Sequence, residues 1–152
     1  MRKNDKKATL VFGIGNNGRQ DDGLGWFFLD FLKEQNTTMD LEYRYQLQIE
    51  DAELISNYIQ VIFIDATKEE TKDGFYLKPC HPSEKYSFST HALAPETVLH
   101  LASKLYDYKP VAFVFGIQGY EWELKIGLSK KGAKNLDKAK KYFNDTVIID
   151  YL

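Results

Sequence analysis

Three side chains in this sequence can be brought to one place to do chemistry: Asp22, Asp65 and His91. Two carboxylates and a neutral imidazole suit a divalent transition metal, the imidazole favouring nickel, zinc, copper or iron. They equally suit acid–base hydrolysis, with a carboxylate activating water and the imidazole moving protons. Each residue also has a plain structural reading. An Asp at the end of a buried strand often caps the turn that follows. A histidine just before a helix can serve only as a hydrogen-bonding loop residue. Ser89 and Thr90 read as supports for the His91 loop and not as nucleophiles, since no G-x-S-x-G elbow surrounds them. Cys80, beside His81, is the only cysteine, so there is neither a thiolate metal cage nor a disulfide framework. Both residues read as structural.

The stretch that must position Asp22 runs over residues 8–32. Leu10, Val11, Phe12 and Ile14, bounded by Gly13 and Gly15, read as a buried strand. Leu24, Phe27, Phe28, Phe31 and Leu32 then recur at helical spacing. The loop between them is rich in Gly and Asn and ends in Asp21-Asp22. A carboxylate there is expected to face the unpaired N–H groups and positive dipole end of the helix. Gly23 and Gly25 flank the helix start at a cost of roughly 1 kcal/mol each in propensity. That cost implies close backbone approach by a neighbouring strand or by a substrate. Residues 13–18 also match G-x-G-x-x-G, the dinucleotide fingerprint. The helical period begins only after Asp21-Asp22, however, and two carboxylates stand where a pyrophosphate would bind. The acidic residue expected near the end of the second strand is also poorly supplied, because Asp40 precedes that strand. The expectation is no nucleotide.

Further along, residues 41–49 read as a strand with Tyr43, Tyr45 and Leu47 alternating, and Glu50-Asp51 opens a short helix carrying Leu54 and Ile55. Val61, Ile62, Phe63 and Ile64 form a central strand buried on both faces, ending in Asp65. Phe75, Tyr76 and Leu77 suggest another strand. Pro95 and Glu96 suit the first turn of a helix whose apolar face is Val98, Leu101, Ala102 and Leu105. His91 therefore falls in the loop before that helix. Residues 111–117 make the last strong strand, leading to Tyr120 and Trp122. Ser129 can cap a final helix that buries Ala133, Leu136, Ala139 or the stem of Lys140, and Phe143, and residues 147–152 can add an edge strand. Strands alternating with helices predict an α/β fold: a three-layer αβα sandwich with a mostly parallel sheet of five or more strands. Sites in such sheets form beyond the carboxyl ends of the strands, where Asp22, Asp65 and His91 can meet. Tyr120 and Trp122 are expected to border that same edge, gripping a peptide or packing the core.

At 152 residues the length fits one domain, residues 1–152. A net charge of −2, without a basic stripe, argues against a nucleic-acid partner. The lysines between residues 130 and 141 fall on the polar face of the last helix. No apolar run reaches membrane-spanning length. The start is basic then apolar, but too short and glycine-broken for a signal peptide. The expected location is the cytoplasm, with no membrane partner.

Taken together, GIGN followed by DDGLG, an apolar strand ending IDA, and STHAL before a helix resemble the hydrogenase maturation endopeptidases. The order and spacing match from Leu10 to about the last helix. The resemblance implies a protease that removes the C-terminal extension from the precursor of the nickel–iron hydrogenase large subunit after nickel insertion. It implies that Asp22, Asp65 and His91 bind metal, here nickel supplied by the substrate or another divalent transition metal, and carry the catalysis. Metal-bound water and an aspartic-type mechanism both stay open. Asn16, Gln46, Tyr120 and Trp122 are expected to contact substrate. Many members of that family have Glu where this chain has Asp22, and a glycine-rich acidic loop where this chain has Gln46, Leu47, Gln48 and Ile49. The alternative class is a non-enzymatic accessory protein that holds nickel or a peptide tail.

Overall fold

The computed structural model describes residues 5–84 and 93–147. Ser89, Thr90 and His91, and residues 148–152 of the expected edge strand, lie outside the described residues. Five strands form one sheet in the order β2-β1-β3-β5-β4. They are β1 (Lys7–Ile14), β2 (Asp40–Arg44), β3 (Tyr58–Thr67), β4 (Phe75–Pro79) and β5 (Val111–Gln118). All neighbours run parallel except β4, which pairs antiparallel with β5 at the edge. Val61, Ile62, Phe63 and Ile64 are all buried, as a strand flanked on both sides and covered on both faces requires.

Alternation along the strands builds two cores. Leu10, Phe12, Val61 and Phe63 face one side, with the Phe12 and Phe63 rings stacked 5.4 Å apart. That side is covered by α2 (Glu50–Ile55) and α3 (Pro95–Tyr106). Val11, Ile62, Ile64 and Phe115 face the other, under α1 (Leu24–Glu34) and α4 (Lys130–Tyr142). Phe28 of α1 sits between Phe115 and Phe143, and each such buried ring contributes about 2 kcal/mol or more. The layered αβα architecture is as the sequence predicts. No described helix is long and apolar enough to cross a membrane.

Several local expectations are revised. Neither Asp21 nor Asp22 caps α1, whose N-cap residue is Gly23 and receives no side-chain bond. A 3-10 turn, Gln20–Gly23, intervenes and turns both carboxylates elsewhere. In α3, Leu105 is exposed while Thr97, Leu99 and His100 are buried. Packing against both α2 and the sheet widens the covered face in the first turns, and the last turn is left uncovered. In α4 the buried residues are Gly132, Asn135, Leu136 and Ala139, and Ala133 lies at the margin. Val147 belongs to a π-helical turn, Phe143–Val147, and not to a strand. Phe143 and Val147, four residues apart, keep one helical face on the core.

Candidate active site

The carboxyl ends of β1 and β3 lie side by side, with Ile14 in register with Asp65. The chain leaves β1 through Gly15 at φ +135°, a conformation L side chains rarely adopt. A Cβ at Gly15 would also collide with the Asp22 backbone carbonyl. The loop thus folds back on itself, and Asn16 N donates to both the carbonyl oxygen and Oδ2 of Asp22, at 3.1 and 3.0 Å. The amide that would greet a phosphate is occupied by a carboxylate. Behind this turn, a Cβ at Gly25 would stand 2.6 Å from the Ile64 carbonyl oxygen and 2.8 Å from that of Ile14. Gly25 therefore answers to the strands and not to a substrate: it lets α1 settle directly onto β1 and β3.

Asp22 and Asp65 meet in a cleft of about 530 Å3. Tyr45, Gln46 and Leu47 line it together with Leu93, Ala94 and Pro95. Burial pushes the Asp65 carboxyl up to about 7, the Asp22 charge pushes the same way, and the Ala66 N–H offsets part of the rise. Asp22 is also raised by burial, against the pull of the Asn16 N–H and the more distant Arg19 and Lys68 charges. Two acids that disfavour ionisation side by side form a site that a cation, or a shared proton, would relieve.

The wall over the cleft is shaped by a clamp. β2 ends earlier than predicted, at Arg44, whose carbonyl accepts from Gly15 N as the last bond to β1 and from Trp26 Nε1, both at 2.9 Å. Arg44 Nη2 reaches the buried Asp51 at 3.0 Å, and Asp51 accepts from Gln48 N at 2.9 Å. Residues 45–48 are thereby pulled across the strand ends, and Leu47 bridges to Leu93. The sequence predicts this strand to run on to Ile49, with Arg44 inside it, and marks only Asp51 at the opening of the next helix.

Of the other expected contacts, Gln46 lines the cleft. The Asn16 side chain accepts from Gly18 N at 2.8 Å and so builds the turn itself. Tyr120 and Trp122 follow β5 on the same sheet edge but are not among the cleft-lining residues. Tyr120 accepts from Asn135 Nδ2 at 3.1 Å, and Lys68 Nζ sits 5.2 Å from the Trp122 ring centroid. Among the described residues, no group of three His, Cys, Asp or Glu side chains could hold a metal ion. Cys80 is buried, its thiol pushed up to about 12 by burial and by the Glu96 carboxylate, as suits a structural residue.

One residue went unrecognised by sequence reasoning. Asp21 is fully buried and its carboxylate accepts four hydrogen bonds, from the backbone of Tyr120, Glu121 and Ser129 and from Ser129 Oγ. Burial alone would raise its pKa, but these donors outweigh it and hold the group below the usual range. Ser129 Oγ in turn accepts from Gly132 N at 2.9 Å, the predicted cap of α4.

No protein-family profile matches the chain, and neither does any curated protein sequence. Solved structures do. One is a crystal structure of the NiFe hydrogenase maturation protease HycI from Thermococcus kodakarensis KOD1, 20% identical over 92% of each chain, TM-score 0.71. Another is the hydrogenase maturating endopeptidase HybD from E. coli, 19% identical over 95% of this chain and 94% of that one, TM-score 0.66. A third is a hydrogenase 2 maturation peptidase from Thaumarchaeota archaeon SCGC_AB-539-E09, 19% identical over 93% and 98%, TM-score 0.66. At these identities the likeness establishes the fold: the chain has the architecture of hydrogenase maturation proteases along nearly its whole length.

Proposed function

We propose that this protein is an endopeptidase that removes the C-terminal extension of the nickel–iron hydrogenase large subunit once nickel has been inserted. The observation that carries this reading is the pair Asp22 and Asp65, two unneutralised carboxylates in one cleft at the strand ends, on a fold shared with maturation proteases. In it, Asp22, Asp65 and His91 are the ligands and the acid–base groups, and Gln46 contacts the substrate. His91 precedes Leu93, a cleft residue, by two positions in the chain.

The nickel belongs to the substrate. Two carboxylates of raised pKa in one open cleft suit a cation that docks there on another protein. When docked there it supplies positive charge that keeps both carboxylates ionised. The chain's own residues then position the scissile peptide in the cleft and take up a proton from the attacking water at a carboxylate or at His91. Selectivity comes from completion of the site by the loaded partner, an induced-fit logic.

The test incubates the unprocessed large subunit, with and without nickel, and follows the C-terminal extension by mass spectrometry. The wild type is expected to cleave only the loaded form. Asp22→Asn and Asp65→Asn keep the side-chain shape and are expected to slow cleavage by about a thousandfold while remaining folded. Binding of the loaded partner without cleavage by the wild type identifies an accessory protein instead. Equal cleavage of the nickel-free form removes the gating.

A further inference from the structure

Backbone register places five residues in one row across the sheet: Arg44, Ile14, Asp65, Gly116 and Tyr76. Directly paired residues of neighbouring strands present their side chains to the same face. Asp65 and Tyr76 are thus on one face, two strands apart, with a glycine between them. The glycine matters. A Cβ at Gly116 would stand 2.8 Å from the Tyr76 hydroxyl oxygen and closer still to the ring. The tip of the Tyr76 ring therefore lies over the middle strand, β5. From there to the Asp65 side chain is about one strand spacing, roughly 5 Å.

The neighbours of that hydroxyl bear on what it can do. Thr67 Oγ1 accepts from Glu69 N at 3.0 Å and is a side-chain hydrogen-bond partner of Tyr76. A phenol carries one hydrogen and two lone pairs, so Tyr76 can accept from Thr67 and still donate elsewhere. Burial, with Glu69, Asp65 and Glu96 adding negative charge around it, keeps the phenol protonated well past neutral pH. A neutral donor is held beside the acid of the cleft, on the flank opposite Asp22.

We propose that Tyr76 is a substrate-contacting residue that donates a hydrogen bond to the carbonyl oxygen of the peptide bond held at Asp65. This rests on the endopeptidase reading. In the hydrolysis, water gives a proton to an acid–base group as its oxygen bonds to the carbonyl carbon, and the carbonyl oxygen gains negative charge. The C–N bond then breaks and the amine leaves with a proton from the acid–base groups. Tyr76 transfers no proton in this sequence; it stabilises the charged oxygen, as preorganised donors do.

The experiment compares Tyr76→Phe and Thr67→Val with wild type on the nickel-loaded, unprocessed large subunit, with thermal melts as the check on folding. Tyr76→Phe keeps the ring over Gly116 and is expected to lower kcat at least tenfold with KM within twofold. Thr67→Val removes the hydroxyl's bonds to Tyr76 and to Glu69 N while leaving Tyr76 itself in place, and is expected to stay within threefold of wild type. A Tyr76→Phe variant with kcat within twofold of wild type overturns the proposal. So does an equal loss in both variants, which makes the pair a pin for the edge strand. No cleavage by the wild type overturns the endopeptidase reading itself, and the two failures are thereby distinguished.

Discussion

Asp21 and Asp22 are neighbours in sequence and opposites in the fold. Asp21 points into the junction between the first loop, the connection after β5 and the start of α4, where four donors meet its carboxylate. Asp22 turns toward Asp65, receives one backbone N–H, and lines an open cleft. Burial acts on both. At Asp21 the donors win and the pKa falls; at Asp22 they do not, and it rises. The difference shows how to separate scaffold from site in a run of identical residues. A carboxylate whose charge is fully used by the fold holds the fold together. One left in like-charged company is an expense that the fold alone does not explain.

The contrast breaks most visibly at Asp21. Asp21→Ala strands three backbone N–H groups in a buried junction and releases the cap of α4, because Ser129 Oγ loses its acceptor. The expected loss is about 3 to 4 kcal/mol, from the cost of unmaking several hydrogen bonds to a charged group. For a chain of this size that lowers the melting temperature by about 10 °C. Asp22→Ala on the same assay is expected to shift it little, for want of comparable partners. Chemical denaturation of the two variants side by side decides the matter. A smaller loss at Asp21 than at Asp22 reverses the assignment of scaffold and site.

The sequence carried the frame and the site further than it carried the wiring between them. Strand β3 was legible because four consecutive large apolar residues have few other places to go, and Asp65 because a charge ends that run. Asp22 was legible from its loop, but its neighbour was not separable from it. Whether an Asp caps its own helix or reaches a loop about a hundred residues on depends on the 3-10 turn at Gln20–Gly23. Short-range pattern says nothing of that. The early end of β2 was hidden as well: Tyr45 and Leu47 continue the strand alternation, and the bonds of Arg44 to Trp26 and Asp51, after which the chain turns, leave no mark on that pattern. Tyr76 passed as one aromatic in an edge strand. Its reach over Gly116 exists only once β5 lies between it and β3.

A smaller effect sharpens the comparison by its sign. Asp65 has a folded-state pKa of about 7 against an ordinary 3.8, so between those values the folded protein keeps a proton that the unfolded chain has lost. Stability must therefore fall as pH rises through this window, and the cost is complete above about 7. A displacement of that size corresponds to at most about 4 kcal/mol, and relaxation around the cleft makes about 2 kcal/mol the expected loss. Asp22 slopes the same way. Asp21 slopes the other way: its folded pKa is depressed, so its contribution is present above the unfolded value and is lost only as pH falls below about 3.8. Asp65→Asn is accordingly expected to stabilise the metal-free protein by about 2 kcal/mol at pH 8, with the gain shrinking toward zero at about pH 4 to 5. Urea denaturation of wild type and variant at pH 5, 6, 7 and 8 reads this directly. A gain that does not depend on pH assigns the effect to packing, and a loss at pH 8 means that the Asp65 charge is neutralised by a partner within the fold.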